Sequence, residues 1–322
     1  MPHALVVALE LAAALAAAKL TGRLCERLGQ PAVLGELAVG LALAVGAGAR
    51  FPADEPFVAG LAQAGVVLLL LETGLKLDAR RLAKAGPTAA AVAATGVAVP
   101  FLLGWGAMTA LGRGGAQAVF TGAALTATSV GITARVLHDL GRLDAEESQI
   151  ILGAAVLDDL VGVAILAAVS GFSPSALVVV GAFAAGVLLG RGRSRARAAA
   201  ALAPAVSVLA PLFFVVTGAR VRFGSLTGEA WALAALLVVA AVAGKLAAGL
   251  AARGPRVDRW AVGFGMLPRG EIGLVFAQMG LASGILDAPL YAAIVLVVVA
   301  TTFLAPPLLE RALVRSGARA RG

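Results

Sequence analysis

The sequence predicts an all-α polytopic membrane protein with about 11 transmembrane helices, two of them broken within the membrane. Three observations predict it. Of 322 residues, 60% are hydrophobic and 14% charged, far outside the range of soluble domains. Apolar runs of membrane-crossing length recur from end to end, joined by short connections. Basic residues fall almost entirely in alternate connections.

The apolar runs lie at residues 4–20, 31–49, 58–76, 88–111, 116–137, 149–170, 174–190, 203–218, 229–252, 260–283 and 289–311. The first lacks a basic leader and a cleavage site, so it reads as a retained helix rather than a signal peptide. Ala, Val, Leu and Gly dominate and only 5% of residues are aromatic, a composition suited to close helix packing through small residues. The single cysteine, Cys25, excludes an internal disulfide framework and a cysteine metal cluster, and His3 and His138 are too few and too distant for a histidine metal site.

The net charge of +8 suggests nucleic acid until its distribution is read. One side receives twenty basic residues: Lys19, Arg23, Arg27, Lys76, Arg80, Arg81, Lys84, Arg135, Arg142, Arg191, Arg193, Arg195, Arg197, Arg253, Arg256, Arg259, Arg311, Arg315, Arg319 and Arg321. The other receives Arg50, Arg113, Arg220 and Arg222. This is a topology signal, with the bilayer rather than nucleic acid as partner. It predicts a cell inner membrane protein with its N-terminus outside and its C-terminus in the cytoplasm.

Few ionisable residues enter the spans. They are the bases Lys245 and Arg269 and the acids Asp158, Asp159 and Glu271, with Glu10, Glu36 and Glu72 nearer the ends. Each costs about 2.5–3.5 kcal/mol at helix centre, so a functional role is the default reading and a structural ion pair the alternative. In QIILGAAVLDDLVGVAILAAVS, Gln149 to Ser170, the adjacent aspartates project about 100° apart. That divergence predicts divided labour: one carboxylate faces an aqueous cavity and binds a cation, the other turns to a basic partner. Lys245, in ALLVVAAVAGKLAAGLAAR, is the candidate partner, since a buried lysine can release its proton when its carboxylate is neutralised. The alternative is that Lys245 snorkels toward the cytoplasmic face near Arg253.

Two spans carry the marks of a break. AVFTGAALTATSVGITARVL holds Gly122, Thr126, Thr128, Ser129, Gly131 and Thr133, and WAVGFGMLPRGEIGLVFAQMG holds Pro268, Gly270 and Gly273 beside Arg269 and Glu271. Interrupted helices at membrane depth are tolerated where they line a cavity, and freed carbonyls and hydroxyls suit a cation's coordination shell. TATS alone also reads as ordinary small-residue packing. Helices 4–6 at 88–170 run plain, broken, aspartate, and helices 9–11 at 229–311 run lysine, broken, closing. Because they start from opposite sides, these triplets predict inverted core repeats, on topology rather than residue identity.

Six stretches carry a family resemblance: QPAVLGELAVGLAL (Gln30 to Leu43), VVLLLLETGLKLD (Val66 to Asp78), LTATSVGITARVLHDLG (Leu125 to Gly141), GAAVLDDLVGV (Gly153 to Val163), APLFFVVTGARV (Ala210 to Val221) and LPRGEIGLVFA (Leu267 to Ala277). In this order they resemble the monovalent cation:proton antiporter-2 family, which includes the Kef-type exchangers and bacterial sodium/proton antiporters. The resemblance implies an inverted-repeat antiporter fold with two broken crossing helices. It makes Asp159 the cation- and proton-binding carboxylate that takes transported Na+, and Lys245 the salt-bridge partner of Asp158. Thr126, Thr128 and Ser129 lie where the broken helix contributes near the ion, and Arg269 and Glu271 brace the second broken helix. Adjacent acids go with electrogenic exchange. No cofactor is implied, and a homodimer is expected.

One departure is length. GFSPSALVVVGAFAAGVLLG follows the aspartate helix almost at once and resembles a helix that comes later in the family, so about two helices are absent, an even number that preserves downstream orientation. The expectation is a single exchanger domain over 1–322, without a soluble regulatory domain or a nucleotide-binding GxxxxGK[ST] loop.

The predicted function is secondary active Na+ (or Li+)/H+ antiport by alternating access, not enzymatic catalysis. K+/H+ exchange is the alternative within transport, and an ion channel lies outside it. An intramembrane aspartyl protease needs two carboxyls converging on one water, which neighbours on a continuous helix do not do.

Overall fold

Backbone groups inside a bilayer must find their partners within the protein, which favours helices. The computed structural model follows that rule, with thirteen α-helices and one 3-10 turn among the residues described. Those are 3–46, 51–77, 86–171, 173–190, 195–254 and 257–319. The helices are α1 (His3–Arg27), α2 (Ala32–Gly46), α3 (Pro56–Lys76), α4 (Gly86–Ala110), α5 (Ala116–Ala124), α6 (Val130–Asp139), α7 (Glu146–Val169), α8 (Pro174–Gly190), α9 (Arg195–Ala219), α10 (Gly228–Leu250), α11 (Arg259–Gly265), α12 (Glu271–Ala282) and α13 (Ala288–Arg319).

Each predicted span has a helical counterpart. Among the described residues, seven helices are continuous, long and apolar enough to cross a membrane: α1, α3, α4, α7, α9, α10 and α13. The chain is a multi-pass membrane protein. Helices α2 and α8 have 15 and 17 residues, about 22 and 25 Å at 1.5 Å per residue and short of a ~30 Å core. The other two spans are the broken pairs α5/α6 and α11/α12.

Several helices outrun their apolar windows. Helix α9 starts at Arg195, eight residues before the predicted span, and so takes in Arg195 and Arg197, which the charge pattern assigned to a connection. Hydropathy reports where lipid begins, whereas Ala and Arg both favour helix on either side of that boundary. Arg195 Nη2 donates to the Lys76 carbonyl oxygen at 2.8 Å. Of the basic residues in the charge pattern, Arg50, Arg80, Arg81, Lys84, Arg191, Arg193, Arg256 and Arg321 lie outside the described residues.

The chain divides into two compact units. One runs over Met1–Leu77 and Pro174–Ala230 and contains α1–α3, α8 and α9. Its helices meet through glycines in reciprocal pairs. A Cβ on Gly218 of α9 would lie 2.6 Å from the Leu37 carbonyl oxygen, and one on Gly40 of α2 would strike the Val215 carbonyl. Gly74 of α3 and Gly186 of α8 face each other's backbones in the same way, through the Phe183 and Leu71 carbonyls. A core of Val7, Leu11, Val58, Ala62, Leu212 and Val216 fills the space between α1, α3 and α9.

The other unit runs over Asp78–Ser173 and Trp231–Gly322 and contains α4–α7, most of α10, and α11–α13. Helix α7 is buried on most of its circumference, which explains why its sequence is apolar all round. Val92, Ile151, Ala155, Ala248, Val262 and Met266 pack between α4, α7, α10 and α11 beside the charged residues described next.

Candidate functional site

The two breaks have different local causes. Between α11 and α12, Pro268 has no N–H to donate and disfavours helical backbone at Leu267. Gly270 follows, and a Cβ there would stand 2.7 Å from Ser129 Cβ and 2.8 Å from Ser129 Oγ, so the close approach of the two breaks requires glycine. Between α5 and α6 the hydroxyl residues compete for backbone. Thr126 Oγ1 donates to the Ala123 carbonyl oxygen at 2.8 Å, closing the end of α5.

Each break supplies donors for the other's freed carbonyls. Arg269 Nη1 donates to the Leu125 carbonyl oxygen, with Ala127 O at 3.4 Å. In return Ser129 N donates to Pro268 O at 2.8 Å, Thr133 Oγ1 to Gly265 O at 2.6 Å, and Thr128 Oγ1 lies 3.1 Å from Met266 O. Thr302 of α13 holds a further backbone oxygen at the second break, donating to Arg269 O at 2.7 Å. Arg269 is therefore a brace for the first broken helix, with its charge against the carbonyl end of α5, where a cation is favoured. Glu271, the first residue of α12, puts negative charge at a helix N-terminus.

The aspartates of α7 are both buried, Asp158 at 1% and Asp159 at 7% exposure, yet they are bound differently. Lys245 Nζ of α10 donates to Asp158 Oδ2 at 2.8 Å, with both side chains fully buried. Thr128 Oγ1 approaches the same oxygen at 2.5 Å, within reach of one charge-assisted hydrogen bond. Asp159 makes no hydrogen bond or ion pair among the described residues. Its charged neighbours are Glu271, Asp158 and Lys245.

Lys245 has two further acceptors: the Thr126 carbonyl oxygen at 2.5 Å and the Gly96 carbonyl oxygen at 2.8 Å. The structure thus gathers Asp158, Lys245, Thr126 and Thr128 into one network. None of Thr126, Thr128 or Ser129 hydrogen-bonds Asp159. Sequence reading passed over Gly96 and Thr302, and it named Thr133 as part of the first break without giving it a partner. Gly96 acts through its backbone, and the one signal for it is a proline four residues later. Of the acids nearer span ends, Glu72 pairs with Lys76 at 2.8 Å, one helical turn away.

A membrane-buried carboxylate with no hydrogen bond or ion pair among the described residues, next to one neutralised by lysine, is an arrangement that can take up a small cation or a proton in competition. The chain's relatives are informative on this point. The family described as sodium/hydrogen exchanger, transmembrane, matches residues 12–179 and 175–315, two stretches that part just after the aspartate helix. The high-affinity Na(+)/H(+) antiporter NhaS3 of Synechocystis sp. is 33% identical over 400 aligned residues, covering 91% of this chain and 87% of that protein. The alignment is longer than the 322 residues of this chain, so the relative carries residues without a counterpart here. The Na(+)/H(+)-K(+) antiporter GerN of Bacillus cereus is 30% identical, covering 94% and 95%. The solved structure of the sodium proton antiporter MjNhaP1 from Methanocaldococcus jannaschii superposes with a TM-score of 0.65 over 95% of this chain and 96% of its own, at 13% identity. With the family matched over nearly its whole length, the chain belongs to the transmembrane sodium/hydrogen exchangers.

Proposed function

We propose that this protein is an electrogenic Na+ (or Li+)/H+ antiporter working by alternating access, with Asp159 as the site of the transported ion. The carrying observation is the unequal treatment of adjacent aspartates. Asp158 is committed to Lys245 and Thr128, whereas Asp159 has no protein partner among the described residues. A carboxylate that binds either a proton or Na+ loads cation when pH rises and releases it when pH falls. The Asp158–Lys245 pair supplies the second exchangeable proton, since Lys245 can release its proton when Asp158 is neutralised. Thr126 and Thr128 shape the site through the network around Asp158, Ser129 ties the first break to the second, and Arg269 and Glu271 hold the breaks. Residues 88–170 and 229–311 act as inverted core repeats, in a homodimer in the cell inner membrane, N-terminus outside and C-terminus cytoplasmic. No enzymatic step is required.

K+ transport is a second reading, favoured by the name of GerN, which joins K(+) to Na(+)/H(+). Everted vesicles carrying a pH gradient separate the two. Wild type should dissipate the gradient on addition of Na+ or Li+ more than of K+, and Asp159→Asn should abolish the response. Asp158→Asn should keep some exchange while moving less charge per cation. A wild type inert toward all three ions would sink the proposal.

A further inference from the structure

Three acceptors surround the Lys245 ammonium, one for each of its N–H bonds. Two are backbone carbonyls in the middle of a membrane domain, where such oxygens are normally occupied by their own helix. Thr126 O is released by the break after α5. Gly96 O lies inside the continuous helix α4, so its availability needs a separate cause.

The cause is on the same helix. The intrahelical partner of the carbonyl at position 96 is the N–H at position 100, and residue 100 is proline, which has none. Pro100 is buried, and α10 approaches it closely. A Cβ on Gly244 would lie 2.9, 2.8 and 2.7 Å from Pro100 N, Cα and Cγ, so only glycine allows this contact. Lys245 is the next residue, and the contact that seats Gly244 on the proline brings Nζ to 2.8 Å from Gly96 O. Gly96 leaves room for it: a Cβ there would be 3.6 Å from Nζ and 3.3 Å from Ala248 Cβ.

We infer that Pro100 is a positioning residue for exchange, reserving the Gly96 carbonyl as a permanent third acceptor for Lys245. Resting on the antiport reading, the assignment gives the lysine two uncharged ligands, Gly96 O and Thr126 O, that stay in place when Asp158 is protonated. The proton leaves from an ammonium still held in register, and the lysine does not swing out of the site. The charged groups around it are Asp158 and Asp159 from α7 and Arg269 from the second break, with Glu271 beyond Asp159.

The test restores the missing donor. In proteoliposomes, Na+-driven proton flux is measured across a pH series for wild type, Pro100→Ala and Pro100→Gly. Both variants place an N–H at position 100, and the glycine tolerates whatever bend α4 adopts. An ammonium with a competitor for one acceptor gives up its proton more readily, so half-maximal exchange should move toward acid by about one pH unit, the scale of one hydrogen bond to a charge. Lactic acid in place of Pro100, which has alanine's shape with an ester oxygen for the N–H, should move it less than half as far. An unshifted profile in a folded, active Pro100→Ala or Pro100→Gly overturns the assignment, as does an equal shift with the ester. A wild type without flux instead ends the antiport reading, and the Lys245 titration followed by NMR of 13Cε-labelled lysine in detergent then decides the role of Pro100, by the same displacement or its absence.

Discussion

At Asp158 one carboxylate oxygen accepts from Lys245 and Thr128, while Oδ1 is buried with no hydrogen-bond partner among the described residues. Such a pair stabilises a fold only while both members remain, because removing one strands the other's charge. Lys245→Met should therefore destabilise the protein by about 3–5 kcal/mol. Combining it with Asp158→Asn should recover more than half of the loss, read as unfolding in detergent. A double variant no more stable than the single would show that the charges are not coupled. Spacing alone announced that the aspartates diverge and that a buried lysine needs a partner. It did not announce which aspartate turns to the lysine, since that depends on the rotation of α7 within its unit. Nor was Gly96 readable as a ligand, because sequence displays side chains and the ligand is a backbone oxygen.

At the scale of elements, the reciprocal glycines of α2 with α9 and α3 with α8 bring backbones together where no side chain can yield. Gly218→Ala would put a methyl 2.6 Å from Leu37 O and 2.8 Å from Leu41 N, so the helices must part. A loss of about 1–3 kcal/mol is expected, as for overpacking elsewhere. Gly60→Ala, on α3 with nothing within 4 Å of its added Cβ, should be neutral or slightly stabilising. Equal melting temperatures for the two variants would refute the close packing. The breaks themselves were legible, one from Pro268 and Gly270, the other from clustered threonine and serine. The crossing of Arg269 to the end of α5 was not, since a long side chain beside a break gives no hint of which helix it serves. Helix ends were the least legible feature, because α9 and α13 continue past their apolar windows into basic sequence.

For the whole molecule, charge distribution makes the sharpest forecast. With Cys25→Ser as background, Gly114→Cys should react with an impermeant maleimide in intact cells, whereas Asp144→Cys should react only after permeabilisation. Both positions are exposed, and they flank the α5/α6 pair on either side. The reverse pattern would invert the proposed topology. The fold agrees with that of MjNhaP1 at 13% identity, which shows how much of the architecture rests on hydropathy and breaks rather than on particular residues.

The exchange of donors at the crossing has a mechanical consequence. Pulling one break from the other would leave the oxygens of Leu125, Gly265 and Pro268 unmatched in apolar surroundings, at several kcal/mol apiece. For three oxygens together the cost is about 6–20 kcal/mol, which leaves the separated arrangement scarcely populated. The crossing is therefore a stiff part of the machine, and whatever bends as the cation changes sides bends somewhere else.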